Sequence, residues 1–132
     1  LHTTYTFSKV QPAYYFGFVT QQIQGHTVAI AESEKAILDI LYYRSSAYAI
    51  SLVLEKLETY QEDIEFGKLK SYSRRYSLGM VRKIGFLLDQ IGVDTSDLAI
   101  EEVKNNSYTK LTQDADQFNA KWRLYYDSHL IG

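Results

Sequence analysis

The sequence predicts an α+β domain: a small, mostly antiparallel sheet, built from N-terminal strands plus a C-terminal strand, packed against about four to five helices. Three observations predict it. β-Branched and aromatic residues fill the first third of the chain, helical apolar spacing takes over from Ser33, and a short aromatic run at 121–126 closes it. The length of 132 residues and the hydrophobic share of 45% suit one domain with one core, spanning residues 1–132. There is no internal repeat, low-complexity tract or interdomain linker.

The elements run in chain order. Residues 3–7 (TTYTF) read as a short strand, and Pro12 interrupts the pattern after it. Residues 14–23 (YYFGFVTQQI) resume the strand pattern, and Gln24, Gly25 and His26 make a tight connection to a strand at 27–31, which suggests a hairpin. Ser33 can cap a first helix over 34–44, with Glu34 at its positive end and Ile37, Leu38, Ile40 and Leu41 on its apolar side. Ser45 and Ser46 break that helix and cap a second over 47–60, which places Ile50, Val53, Leu54 and Leu57 along one face. Asp63 can cap a third helix carrying Phe66, Leu69 and residues 72–76. Ser77 can cap a fourth over 78–91, with Met80, Ile84, Leu87, Leu88 and Ile91 as its stripe, and Gly92 stops it. Gly79 and Gly85 inside that helix permit close packing. Asp94, Thr95, Ser96 and Asp97 open a fifth helix, short and polar, ending near Asn105 and Asn106. Residues 107–120 read as a loop. The last strand, 121–126, is expected to rejoin the first sheet, because an isolated strand cannot satisfy its backbone. Its Trp122 closes the core, and Arg123 alternates outward.

Composition excludes several classes of function. A net charge of −2 exerts no global pull on nucleic acid. With no cysteine there is no disulfide, thiolate metal site or cysteine nucleophile, which fits a reducing cytoplasm. No apolar run reaches the roughly 20 residues that span a bilayer, and no basic-then-apolar leader opens the chain. It begins with Leu1 and enters strand-like sequence at once, as a piece of a longer protein would. His2, His26 and His129 have no metal-ligand spacing. Glu34 and Asp39 point in diverging directions from one helix, while Glu101 and Glu102 read as solvated. Phosphate-binding, nucleophile-elbow and dinucleotide motifs are missing. The expectation is a domain without catalytic, cofactor or metal residues. Twelve tyrosines suit half-buried sheet faces and interfaces, where the ring is apolar and the hydroxyl stays wet.

The strongest charge feature is Lys68, Lys70, Arg74, Arg75, Arg82 and Lys83, with no acid between Phe66 and Leu88. Tyr72, Tyr76 and several serines lie among the cations. Phe86, off the apolar stripe, comes one turn after Arg82 on the same flank. Cations with aromatics and hydroxyls are what a phosphate backbone needs. A solvated helix face and a surface for an acidic protein are the other two readings. Lys35 and Asp39, four residues apart, allow a modest intrahelical ion pair.

Residues 28–44 (VAIAESEKAILDILYYR) resemble the "PEKALLDLLY" segment of AbiEi-type antitoxins, the transcriptional repressors of type IV toxin–antitoxin systems. Ser33 stands where that family often has Pro. Residues 81–92 (VRKIGFLLDQIG) are similar to the family's "RRLGYLLERLG" helix, with Arg82 and Lys83 at the basic pair, Gly85 at the small residue and Phe86 at the aromatic. Residues 108–111 with 119–127 (NAKWRLYYD) resemble its closing "YVPL…" and "WRVIVN" pattern, with Asp127 where Asn is common. The resemblance implies the family's C-terminal α/β domain, without the N-terminal winged helix that binds operator DNA. Such a domain neutralises a nucleotidyltransferase-like toxin and assists repression. Its partners would be that toxin and, through the full-length protein, DNA. The alternatives are a subunit of a nucleic-acid-processing or nucleotidyltransferase enzyme, and a structural dimerisation module built on the Tyr-rich sheet.

Overall fold

The computed structural model describes residues 18–44, 46–98, 103 and 105–130. The predicted strand at 3–7, the start of the strand at 14–23 and residues 99–102 and 104 of the predicted fifth helix lie outside them; the described start of that helix, 94–98, is turn and irregular chain instead. The class is α+β, as the sequence predicts. The described residues form β1 (Phe18–Ile23), β2 (His26–Ala31), α1 (Ser33–Tyr43), α2 (Ala47–Thr59), α3 (Phe66–Tyr76), α4 (Leu78–Gln90), β3 (Thr109–Lys110), β4 (Gln117–Asn119) and β5 (Leu124–Tyr126). A 3-10 turn, Gln61–Asp63, precedes α3.

β1 and β2 pair antiparallel, with Ile23 opposite His26. The connecting pair, Gln24 and Gly25, has φ of 52° and 78°. Two positive φ values give a turn whose twist matches that of the strands, and the glycine makes it cheap. Helix ends are set by short side chains. Ser46 Oγ accepts the Ala49 N–H at 3.2 Å, and Ser77 Oγ accepts the Met80 N–H at 3.2 Å. At the end of α4, Gly92 takes φ of 79°, and the Val93 and Gly92 N–H groups return to the carbonyls of Leu88 and Asp89. That closure satisfies two carbonyls the helix leaves open.

Two expected caps are differently placed. Ser33 is the first residue of α1, Glu32 holds the cap position, and neither Glu32 nor Glu65, at the cap of α3, makes a side-chain cap bond. Glu34 is buried and its carboxylate accepts the Glu65 N–H at 3.2 Å. Its carboxylate thus lies in the first turn of α1, as the sequence predicts, and also serves the start of α3. Asp63 falls in the 3-10 turn instead of capping α3.

The sheet is divided in two, which corrects one expectation. Among the described residues β5 does not rejoin the N-terminal hairpin; it pairs parallel with β3 and antiparallel with β4. A strand has only two edges, and both edges of β5 are taken by strands inside the segment that reads as a loop. β5 also starts late. Asn119 Oδ1 accepts the Trp122 N–H at 3.1 Å, and Arg123 adopts φ of 51°, so residues 121–123 form a turn.

The core lies between the four helices and the inner face of the second sheet. Leu38, Leu41, Ile50, Val53, Leu57, Leu69, Ile84, Leu87, Leu88, Trp122 and Leu124 are fully buried. The predicted stripe of α4 is buried at Met80, Ile84, Leu87 and Leu88, while Ile91 is partly covered. Phe86, read as part of the basic flank, is also buried, with its ring 4.8 Å from that of Tyr126.

Candidate functional site

The six predicted site cations do not form one surface. α3 and α4 are consecutive helices packed together, but their basic residues leave in different directions. Lys68 binds Glu32 at 2.6 Å and lies 3.7 Å from Glu65. The hydrogen bond with Lys68 holds the Glu32 carboxyl below its ordinary range, and the same bond raises the lysine. Tyr72 donates to the other oxygen of Glu32, and burial together with that carboxylate pushes its phenol upward. Lys70 is buried and donates to the Asp94 carbonyl at 2.6 Å and to the Asp97 carboxylate at 3.0 Å. It ties α3 to the loop after α4. Arg74 is exposed and donates to the Asp97 carbonyl at 2.7 Å, and Arg75 is exposed on the same helix.

Arg82 is buried, with 1% exposure. Its guanidinium donates to the Val103 carbonyl at 2.9 Å, Asn105 Oδ1 at 3.0 Å, Ser107 Oγ at 3.0 Å and Thr109 Oγ1 at 3.4 Å. Burial, then the nearby charge of Arg123, lowers its pKa. This side chain organises the chain leading into β3 and is closed to a phosphate. Lys83 donates to the Leu41 carbonyl at 3.2 Å, near the end of α1, where no basic residue occupies the last turn. Burial lowers its pKa. A cation from α4 thus meets the negative end of α1.

The sequence does not reveal how closely the three family-like segments interlock. The Lys35–Asp39 pair exists, at 2.8 Å, but Lys35 is fully buried and also bonds to the Tyr76 hydroxyl, which in turn bonds to Asp39. Gly85 lies directly under Trp122, where a Cβ would come within 2.3 Å of the indole ring. One turn further along, Asp89 accepts Trp122 Nε1–H at 2.8 Å, Lys121 Nζ at 2.9 Å and Thr95 Oγ1–H at 2.6 Å. Burial alone would raise the Asp89 carboxyl, but the bonds from Thr95, Lys121 and Trp122 hold it below its ordinary value. Gly85 therefore receives a C-terminal aromatic rather than another helix.

Three surface features remain. An open groove of about 470 Å³ between α1 and the end of α2 is lined by Ser33, Ala36, Ile37, Ile40 and Ile64, with Lys56, Tyr60 and Asp63. Its lining suits an apolar side chain better than chemistry on a polar substrate. On the outer face of the second sheet, Tyr108 and Phe118 are exposed and flank Tyr125. At the far end of that sheet, Asp116, Asp127 and His129 bring ligand-type atoms within 4.8 Å of one another. Asp116 is already bonded to the backbone and hydroxyl of Ser128, and Asp127 to the backbone and ring of His129. These bonds hold both carboxyls below their ordinary range. No helix among the described residues is long and apolar enough to cross a membrane.

No protein-family model, curated protein or solved structure matches the chain.

Proposed function

We propose that the chain is a non-catalytic regulatory domain of an AbiEi-like antitoxin or transcriptional repressor. It acts in the cytoplasm, binds a nucleotidyltransferase-like toxin and assists operator binding by the full protein. The observation that carries this reading is the convergence of the three family-like segments. Arg82, Gly85 and Asp89 of the middle segment lock onto Thr109 and Trp122 of the closing segment, and Lys83 reaches Leu41 of the first. Residues at the family-like positions are held by one another, which supports reading them as the signature of a fold. Among the described residues, the carboxylates of Glu32, Asp39, Asp89, Asp116 and Asp127 are committed to ion pairs and hydrogen bonds within the fold. That favours recognition over catalysis.

Of the basic stretch, Arg74 and Arg75 keep exposed positions on α3, while Lys70 and Arg82 serve the fold. Contact with DNA would therefore run chiefly through Arg74 and Arg75, with Lys68 partly exposed on the same helix. The test has two readouts in the full-length protein. Co-expression with the nucleotidyltransferase-like product of an adjacent gene should restore growth, and continued toxicity would remove the antitoxin reading. Arg74→Ala with Arg75→Ala should weaken operator binding and make its salt slope shallower by about one per lost phosphate contact. An unchanged slope would take these arginines out of DNA binding.

A further inference from the structure

We propose that the outer face of the sheet formed by β3, β5 and β4 docks on the same face of a second copy of this chain. The inner face is occupied: Leu124 is fully buried and Tyr126 packs on Phe86. The outer face carries an aromatic row. Tyr108 is 57% exposed and Phe118 41%, and their ring centroids lie 5.3 Å and 4.8 Å from that of Tyr125 between them. Lys110 stands level with Tyr125 in the strand register and is exposed. Clustered aromatics are the composition of interface centres, and isolated exposed rings would not form such a row.

The charges flanking this row choose the occupant. Arg123 lies at the start of β5, its guanidinium 5.7 Å from the Phe118 ring and bonded to the Ser107 and Asn106 carbonyls. The opposite end carries Asp116, two residues before Phe118, and Asp127, two residues after Tyr125. Both directly flank the paired residues of β4 and β5 at that end, Asp116 exposed and Asp127 bonded to the backbone and ring of His129. The face is thus positive at one end, aromatic in the middle and negative at the other. A phosphate backbone tracking the rings would meet the two carboxylates, which repel it. A second copy, turned half a revolution about an axis lying in the interface and crossing the strip, avoids that repulsion at both ends, and Lys110, which comes opposite its own copy on the β3 side, can carry its charge to the rim on its long stem. It sets Arg123 over the acidic end, the acidic end over Arg123, and rings against rings. Such a twofold contact needs only one self-complementary patch. The chain's net charge of −2 opposes it little. A patch this small gives a weak, concentration-dependent dimer.

Sedimentation equilibrium over a range of protein concentrations, at low and high salt, tests the proposal. A dimer that weakens with salt is expected. Phe118→Glu should weaken it by roughly tenfold or more, and Tyr108→Glu, which puts a charge at the other end of the aromatic row, should weaken it as well. Tyr48→Glu, at a 73% exposed site on α2, should leave it unchanged. Far-UV circular dichroism and Trp122 emission report whether each variant is folded, and Tyr108→Glu decides the matter if Phe118→Glu is not. A monomer at every concentration overturns the proposal. So does a dimer lost in Tyr48→Glu but kept in Phe118→Glu and Tyr108→Glu. A monomer whose tyrosine emission is quenched by oligothymidylate would assign the face to nucleic acid instead.

Discussion

Arg82 and Asp89 stand two turns apart on α4, and both are ionised side chains put to structural use. Charge along the sequence marks Arg82 as a candidate for phosphate, because a run of cations without acids looks the same whether it faces water or a loop. What distinguishes the cases is the chain from 103 to 109, which supplies carbonyls and side-chain oxygens to Arg82 from more than twenty positions away. No local pattern encodes that distance. Asp89 is hidden for the same reason, since its partners Thr95, Lys121 and Trp122 come from two other segments. Its lowered pKa has a consequence for stability. The folded carboxyl binds a proton less readily than the unfolded one, so the stabilisation is present above the ordinary aspartate value of 3.8 and lost as pH falls through the lower folded value. Acid titration monitored by Trp122 emission should show part of the unfolding below that value. Asp89→Asn should remove this part of the pH dependence; an unchanged acid limb would assign it to other carboxylates.

Element boundaries are legible where one side chain sets them. Ser46, Ser77 and Gly92 act within a turn of themselves, so the sequence discloses them directly. Ser77→Ala should cost about 1 kcal/mol in a denaturant titration, the usual loss for a helix cap. The stripe of α4 is equally plain, because apolar residues at helical spacing need a face to bury. Leu87 is fully buried in it, and Leu87→Ala should cost roughly 2–5 kcal/mol. A loss under about 1 kcal/mol would mean that the site collapses around the deletion or that the face opens in solution. β3 and β4 are not legible. Strands of two and three residues are too short to show a period of two, and without them the sequence pairs β5 with the wrong neighbours.

At the scale of the whole molecule, the segments that resemble the AbiEi family meet one another in the fold. The middle and closing segments meet where Trp122 lies on Gly85 and donates to Asp89. A glycine inside a helix costs about 1 kcal/mol relative to alanine, so its presence at 85 needs a reason, and the indole supplies one. The function proposed for the domain rests on that interlocking, because the segments that carry the resemblance meet one another in the fold. A double-mutant cycle between the two positions tests it most directly, read by urea denaturation of the wild type, Gly85→Ala, Trp122→Leu and the double variant. Gly85→Ala alone should cost about 1–3 kcal/mol by overpacking, and much less once Trp122 is Leu, giving a coupling of about 0.5–3 kcal/mol. Additive costs, or a stabilising Gly85→Ala in the wild type, would contradict the contact and with it the claim that these segments fold as one unit.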